Sequence, residues 1–153
     1  MSMKQSTERS LEKAAKQIAE QCLGLRARCV GRQLTAIYDT ALSKLNITGN
    51  QLTLIVAITR LRTVSPKELS QKLGLEKSTL SRNINRLEAF GYIDVAPGES
   101  ARSQQLSVTP KGKKLLLKAL PLWQEAQAQV QKTLGSEGTE GIHLSYTALQ
   151  DAD

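Results

Sequence analysis

The chain has 153 residues, of which 40% are hydrophobic, and it carries a formal net charge of +7 at pH 7. This length and apolar content are sufficient for a hydrophobic core, which excludes wholesale disorder, and they correspond to one domain or to two lobes. No apolar run is as long as a membrane span, and the polar N-terminus lacks the pattern of a secretory signal. The sequence therefore predicts a cytoplasmic protein without membrane contact.

Side chains that commonly carry catalysis or bind metals are few. The chain has one histidine, His143, and two cysteines, Cys22 and Cys29, whose spacing matches no zinc site. No pairing of a nucleophile with a base, and no pair of carboxylates, can be recognised along the chain. The sequence therefore predicts no metal site, no cofactor and no catalytic residues, and it argues against an enzyme.

The positive charge is concentrated in one part of the chain. Between Arg60 and Lys118 there are twelve basic and five acidic residues, an excess of seven that equals the net charge of the whole chain. Such an excess is often just a solvated surface, but its confinement to one segment favours a nucleic-acid partner. Only 3% of the residues are aromatic, which argues against base stacking on single strands and leaves double-stranded DNA as the expected partner.

An amphipathic helical pattern extends from Thr7 to about Leu45. Its first part has an apolar seam at steps of four and three, which consists of Leu11, Ala15, Ile18, Cys22, Leu25 and Cys29. The apolar positions shift after Gly31, where we expect a bend. A helix of this length with an apolar seam near its start is suited to packing against a second chain, so residues 1–46 are predicted to form a dimerisation region.

The tripeptide Asn46-Ile47-Thr48 is predicted to end this helix. Thr48 and Gln51 have the spacing of a capping box, so the next helix should begin here. Its expected apolar face consists of Leu52, Ile55, Val56, Ile58 and Leu61. The following Thr63-Val64 could add a short third strand to a small sheet.

The stretch from Ser65 to Gly112 is predicted to form a winged helix-turn-helix. Its first helix has Ser65 as a suitable N-cap, Pro66 at the first helical position and Glu68 to complete a capping box. Gly74 permits a sharp turn into the next helix.

The second helix is predicted from about Lys77 to Phe90, with Gly91 as its C-cap. Its apolar residues Leu80, Ile84 and Leu87 recur at spacings of four and three and should face the core. The opposite face is short, polar and basic, as a helix that enters a DNA major groove requires. We predict DNA contacts from the residues of this face: Lys77, Ser78, Thr79, Ser81, Arg82, Asn85 and Arg86.

Two strands, Tyr92 to Ala96 and Gln104 to Val108, are predicted to pair across Pro97-Gly98 and the polar loop after it. Thr109-Pro110 then begins the next helix. The two strands form the wing, which completes the DNA-binding lobe.

The last region, residues 113–153, is predicted to be helical and to contribute to a dimer. An amphipathic helix should extend from Pro110 to Leu134, with a kink at Pro121 and an end at Gly135, and a short, loosely held helix should follow. Its apolar face consists of Leu115, Leu116, Ala119, Leu120, Leu122, Trp123, Ala126, Val130 and Leu134. Long helices thus flank the DNA-binding lobe, residues 47–112, which is typical of a twofold dimer that binds a pseudo-palindrome with two recognition helices one duplex turn apart.

The order of these elements resembles the multiple antibiotic resistance regulator (MarR) family. The resemblance is carried by Leu45-Asn46-Ile47-Thr48 with Gln51, by Lys77-Ser78-Thr79-Leu80-Ser81-Arg82, by Arg86-Leu87-Glu88 followed by Gly91-Tyr92-Ile93, and by Leu106-Ser107-Val108-Thr109-Pro110-Lys111-Gly112. It implies a mainly α fold with a small β wing, in which a winged helix-turn-helix lobe is joined to a helical dimerisation lobe. It also implies a homodimeric transcription factor, usually a repressor, whose DNA affinity falls when a small ligand or an oxidant acts on it.

One departure from the family concerns the wing. Members of the family usually carry an Asp-x-Arg motif there, in which the Asp braces an Arg that enters the minor groove. The corresponding residues are Ser100-Ala101-Arg102, so the Arg is present and the Asp is absent. Arg102 is still expected to enter the minor groove, from a wing tip that is more mobile without the brace.

Redox members of the family place a reactive cysteine in the first helix near a tyrosine. With Tyr38 as the anchor, Cys22 lies near that register but not in it. Cys22 and Cys29 are about 10 Å apart along a helix, which is too far for a disulfide within it. Oxidant sensing by Cys22 and inert packing of the thiols are therefore alternatives.

A ligand pocket is expected near Arg26 and Tyr38. These residues lie on the helix that would cover the cleft between the lobes, where an anionic aromatic ligand could bind, and solvated surface is the alternative for the arginine. Lys67 and Lys111 are expected to be non-specific phosphate contacts or plain surface.

The alternative function for the protein is a winged-helix protein-interaction module or a non-specific DNA binder. The missing wing Asp favours this alternative, and the basic start of the recognition helix opposes it.

Overall fold

The computed structural model describes residues 3–98, 100 and 103–150. Its helices and strands, in chain order, are α1 (Met3–Gln21), α2 (Leu23–Leu42), α3 (Gly49–Leu61), α4 (Pro66–Leu73), α5 (Lys77–Ala89), β1 (Ile93–Pro97), β2 (Gln104–Val108) and α6 (Pro110–Gln150). The fold is mainly α with a small antiparallel wing, which confirms the predicted fold class. Within these ranges no helix has both the length and the apolar content that crossing a membrane requires. The chain divides into two compact units at the boundary between Ala36 and Ile37.

The N-terminal helical pattern is interrupted earlier than predicted. The break between α1 and α2 is at Cys22, whereas Gly31, where we expected a bend, lies inside α2. The Arg26 guanidinium donates a 2.6 Å hydrogen bond to the Glu20 carbonyl oxygen, which satisfies one of the carbonyls that the end of α1 leaves free. Because a single glycine costs a helix only about 1 kcal/mol, Gly31 is tolerated within α2.

The start of α3 confirms the predicted capping box. Thr48 Oγ1 accepts a hydrogen bond from the Gln51 amide at 3.3 Å, and Gln51 Oε1 accepts one from the Thr48 amide at 3.0 Å. Asp39 Oδ1, on α2, accepts a further bond from the Gly49 amide at 2.6 Å. Three side-chain oxygens thus satisfy amides at this helix start, which fixes the residue at which α3 begins.

Helix α3 lies at the centre of the core of the second unit. Leu54, Ile55 and Ile58 are fully buried, whereas Val56, which was predicted to be buried, is 39% exposed. Successive residues of a helix are rotated by about 100°, so a face centred on Ile55 and Ile58 includes Leu54 and excludes Val56. The expectation for Val56 was therefore wrong, and Leu54 was missed.

The wing is a two-stranded antiparallel sheet in which Ile93 pairs with Val108 and Pro97 with Gln104. The predicted third strand is present as a single bridge, in which Val64 pairs with Leu106. The Leu106 amide donates to the Val64 carbonyl oxygen at 2.8 Å, and the reverse bond is 3.3 Å. Because Val64, Ile93 and Leu106 are all buried, one face of the wing sheet belongs to the core.

Helix α6 continues past the position predicted to disturb it. The chain is helical through Pro121, and the residue with non-helical angles is Gly135, at φ 69° and ψ −179°. Gly135 therefore ends the first part of α6 as predicted. Pro121 lies inside the helix, as predicted, and the kink expected there stays a prediction.

The face of α6 that is buried in the single chain is narrower than its apolar face. Its buried side chains include Leu115, Ala119, Ala126 and Val130. Leu120 and Trp123, which were assigned to the same face, are 48% and 39% exposed. They lie beside the buried stripe and are open to solvent in the single chain.

Replacing Leu54 by Ala should lower the free energy of unfolding by about 2–5 kcal/mol, because the lost side chain leaves a cavity in the core. The matched change on the exposed side of the same helix, Val56→Ala, should lower it by less than about 1 kcal/mol. Denaturant unfolding followed by circular dichroism measures both values. A larger loss for Val56→Ala than for Leu54→Ala would contradict the described orientation of α3.

Candidate nucleic-acid interface

Ser65 caps the N-terminus of α4 as predicted, but the structure shows only this half of the predicted capping box. Ser65 Oγ accepts a hydrogen bond from the Glu68 amide at 3.2 Å, and Pro66 occupies the first turn. The Glu68 carboxylate lies 3.9 Å from Lys72 Nζ, one turn further along the exposed side of α4. The cap fixes the helix start, and the exposed ion pair contributes little stability.

The turn between α4 and α5 depends on Gly74. This residue has φ 59° and ψ 32°, a left-handed conformation that glycine adopts without a steric penalty. The Leu75 amide donates to the Ser70 carbonyl oxygen at 3.1 Å, and Ser70 Oγ donates to the Leu75 carbonyl oxygen at 2.8 Å. These two reciprocal bonds close the turn and set the direction of α5.

Helix α5 buries one stripe, as predicted. Leu80 and Leu87 are 2% and 0% exposed, and Ile84 is 6% exposed. At its C-terminus the Gly91 amide donates to Glu88 O at 2.7 Å and the Tyr92 amide to Leu87 O at 2.9 Å. These bonds end the helix where Gly91 was predicted to end it.

The seven predicted contact residues of α5 lie on its outer side. Six of them are exposed, and Thr79 is half-buried. They form two stripes with a spacing of four residues: Lys77, Ser81 and Asn85 form one, and Ser78, Arg82 and Arg86 form the other. The side that faces away from the core thus presents hydroxyl, amide and cationic groups together.

A groove of about 720 Å³ lies along the first of these stripes. It is lined by Ser65, Pro66, Lys67, Ser70, Gln71, Lys77, Leu80, Ser81, Ile84, Asn85, Ser100, Ser103 and Gln104. The structure therefore brings the predicted residues Lys77, Ser81 and Asn85 together with α4 and with the wing.

The lining also includes residues that were not predicted as contacts, among them Gln71 and Gln104. Gln71 lies four residues after Lys67 on α4, so the helical spacing of α4 alone could have indicated that both share a face. The position of Gln104 depends on how the wing sheet packs against the core, which no local pattern records. Both side chains can donate and accept hydrogen bonds, as contacts to DNA require.

The described part of the wing turn is closed by serines. The Gly98 amide donates to the Ser103 carbonyl oxygen at 2.8 Å. Ser103 Oγ accepts from the Ser100 amide and donates to the Ser100 carbonyl oxygen, both at 2.9 Å. Arg102, the predicted minor-groove residue, lies outside the described residues, as does Ala101.

Tyr38 has a partner within the protein. Its hydroxyl donates to Gln127 Oε1 on α6, and partial burial raises the pKa of Tyr38 above its ordinary value. Arg26, the other residue of the predicted ligand pocket, is exposed and bonded to the Glu20 carbonyl. Tyr38 and Arg26 belong to different compact units, so the predicted pocket stays a prediction.

Both cysteines are free and half-buried. Cys22 Sγ accepts a hydrogen bond from the Leu25 amide at 3.4 Å. The Arg32 guanidinium donates a hydrogen bond to Cys29 Sγ at 3.2 Å. Among the described residues no three His, Cys, Asp or Glu side chains gather as a metal site would require.

Residues 45–103, which extend from just before α3 to the residue before β2, match the model of the MarR family. A crystal structure of the M. tuberculosis transcriptional regulator MosR in complex with DNA is 30% identical to the chain. The match covers 86% of this chain and 98% of that one, with a TM-score of 0.72. The chain belongs to the MarR family.

Other structures show the same MarR-family fold. A second MosR structure is 28% identical, with 86% of this chain and 95% of that chain covered and a TM-score of 0.73. A mutant MarR from E. coli complexed with operator DNA is 20% identical, with 86% and 96% covered and a TM-score of 0.76. No curated protein matches the chain by sequence. The resemblance predicted from the sequence is therefore confirmed, and the chain is a winged-helix transcriptional regulator.

Gly74→Ala should lower the free energy of unfolding by about 1–2 kcal/mol, because a Cβ is disfavoured in the left-handed conformation although space is free around it. Gly74→Asn is the matched control and should cost less, since asparagine tolerates this conformation. Thermal and denaturant unfolding give the order of the three proteins. An alanine variant as stable as the parent would show that the turn does not need the left-handed residue.

Proposed function

We propose that the chain is a homodimeric, sequence-specific regulator that binds double-stranded DNA and represses transcription. The observation that carries this proposal is the outer side of α5, where hydroxyl, amide and cationic side chains stand beside a groove that α4 and the wing share. The segment that holds this surface also contains the whole positive charge excess of the chain. A basic, polar helix face next to a wing is the arrangement that major-groove recognition requires.

The proposed DNA contacts divide by chemistry. Arg82 and Arg86 are one turn apart, so one can donate to a guanine edge and the other to a phosphate. Ser78 and Ser81, near the start of α5, can bond phosphates or base edges, together with Lys77, Thr79 and Asn85. Arg102 is proposed to enter the minor groove.

The proposed dimer uses both ends of the chain. Leu11 and Ile18 on α1 are 65% and 66% exposed, and Leu144 and Leu149 near the end of α6 are 61% and 70% exposed. Apolar side chains exposed at this level along two helices indicate a surface that a partner covers. We therefore propose that residues 1–46 and 113–153 form the dimerisation regions around the DNA-binding lobe, residues 47–112, and that the partner is a second copy.

Repression in this proposal results from occlusion of a promoter, and no enzymatic step is involved. A small ligand near Arg26 and Tyr38, or oxidation of Cys22, would favour a dimer whose recognition helices no longer match the operator. A regulator of this kind acts where the chromosome is, which agrees with a cytoplasmic location.

Replacing Arg82 by Ala should reduce binding to an operator duplex by about 1–3 kcal/mol and relax base preference at one position of each half-site. Binding is measured by fluorescence anisotropy on the operator and on a random duplex of equal length. The matched control is Arg60→Ala, which removes the same exposed side chain from α3. An equal loss on operator and random DNA would mean that Arg82 contacts only phosphate, and no loss on either would exclude it from the interface.

Replacing Ile18 by Glu should weaken dimerisation about tenfold or more, because the dimer would bury an unpaired carboxylate. Gln17→Glu adds the same charge at the neighbouring position, away from the apolar seam, and should leave dimerisation unchanged. Sedimentation velocity over a concentration series measures both constants, and circular dichroism checks that the fold is retained. Unchanged dimerisation of Ile18→Glu would show that α1 does not form the interface.

A further inference from the structure

The end of α5 and the start of α6 are held together by the side chains of Thr109, which precedes α6, and Lys111, in its first turn. Thr109 Oγ1 donates a 2.7 Å hydrogen bond to the Gly91 carbonyl oxygen, and the Thr109 amide donates to the Tyr92 carbonyl oxygen at 3.1 Å. The same hydroxyl accepts from the Gly112 amide at 3.0 Å and so caps α6. One threonine therefore connects the start of α6 to the segment that ends the recognition helix.

Lys111 adds a second connection. Its ammonium group donates a 2.7 Å hydrogen bond to the Phe90 carbonyl oxygen and lies 5.2 Å from the centroid of the Tyr92 ring. The Phe90 carbonyl stands at the negative end of the α5 dipole, and the face of an aromatic ring also attracts a cation. The Lys111 side chain is thus engaged by the protein itself, although the sequence predicted a phosphate contact or plain surface.

The backbones approach each other closely at this point. A Cβ at Gly112, which is buried, would lie 2.1 Å from the Tyr92 carbonyl oxygen and 2.7 Å from Val108 Cγ1. The approach of Tyr92 to the first turn of α6 therefore requires glycine at position 112. We call the six residues Phe90, Gly91, Tyr92, Thr109, Lys111 and Gly112 the α5–α6 clasp.

We propose that the α5–α6 clasp sets the angle between α6 and the recognition helix α5. This angle would in turn set the spacing between half-sites that the dimer accepts. This inference rests on the proposed dimeric function. In it, Lys111 is a positioning residue and does not contact DNA.

The length of α5 explains why the clasp would affect spacing. The helix has 13 residues and is therefore about 20 Å long. A rotation of about 10° at its clasped end moves the opposite end by about 3.5 Å, close to the rise of one base pair. In a dimer joined through α6, a loosened clasp would let each recognition helix reach operators whose half-sites are one base pair closer or further apart.

The test uses the full-length protein and duplexes that carry two copies of the half-site selected by the parent protein. Their centre-to-centre separation is the preferred one, one base pair shorter or one base pair longer. Lys111→Met should reduce the preference for the correct separation about fivefold, because a charge-assisted hydrogen bond and a cation–aromatic contact are lost. The salt dependence of binding should stay as in the parent, since no phosphate contact is removed.

Two variants serve as controls. Lys113→Met removes an exposed ammonium from the same turn of α6 and should retain the parent's preference. Lys111→Arg keeps a donor and a cation at the clasp and should restore most of the preference.

Two outcomes with Lys111→Met would overturn the proposal while leaving the dimeric function intact. An equal loss at all three separations with a shallower salt dependence would make Lys111 a phosphate contact. An unchanged preference would show that the clasp does not set the spacing. A parent protein without any preferred separation would overturn the clasp's role and the proposed dimeric function together.

Discussion

The burial of one stripe of α5 is the constraint on which the rest of the DNA-binding lobe depends. Leu80, Ile84 and Leu87 pack in one cluster with residues of α3, α4 and the wing sheet. Each such side chain contributes about 1.5–3 kcal/mol when it leaves water, so the helix cannot turn this stripe outward. The polar and cationic stripes on the other side are therefore held at the surface. Core packing, and not any contact among the polar residues, decides which side chains can meet a nucleic acid.

The same cluster also places the wing and α6. Leu106 of β2 and Ile93 of β1 are buried in it, as are Leu115 and Ala119 of α6. The wing therefore stands next to α5 because its inner face is part of the core, and α6 leaves the lobe in a direction that the core and the α5–α6 clasp determine. A regulator needs this kind of surface, in which rigid elements present donors and acceptors at fixed separations.

Signals that act over a few residues were sufficient to predict the elements of this lobe. The caps at Thr48 and Ser65 operate across three residues, and the stripe of α5 repeats within two turns. Contacts between distant parts of the chain gave no such signal. Lys111 bonds a carbonyl 21 positions away, and Tyr38 bonds a side chain 89 positions away, so neither partner could be read from spacing.

The wrong expectations have a common physical origin. The exposure of Val56 depends on how far α3 is rotated against its neighbours, which packing decides. The break at Cys22 depends on whether the freed backbone groups find partners, as the Glu20 carbonyl does with Arg26. Residue type alone therefore indicated a bend at Gly31, which does not interrupt α2, and gave no signal for the break at Cys22.

The most direct test of the central claim is selection of bound duplexes from a random DNA pool at physiological salt. A dimer that reads sequence through α5 predicts enrichment of an inverted repeat whose half-sites are centred about one helical turn apart. Binding without enrichment, with an affinity that falls steeply as salt increases, would contradict the claim and leave a protein that contacts only the phosphate backbone.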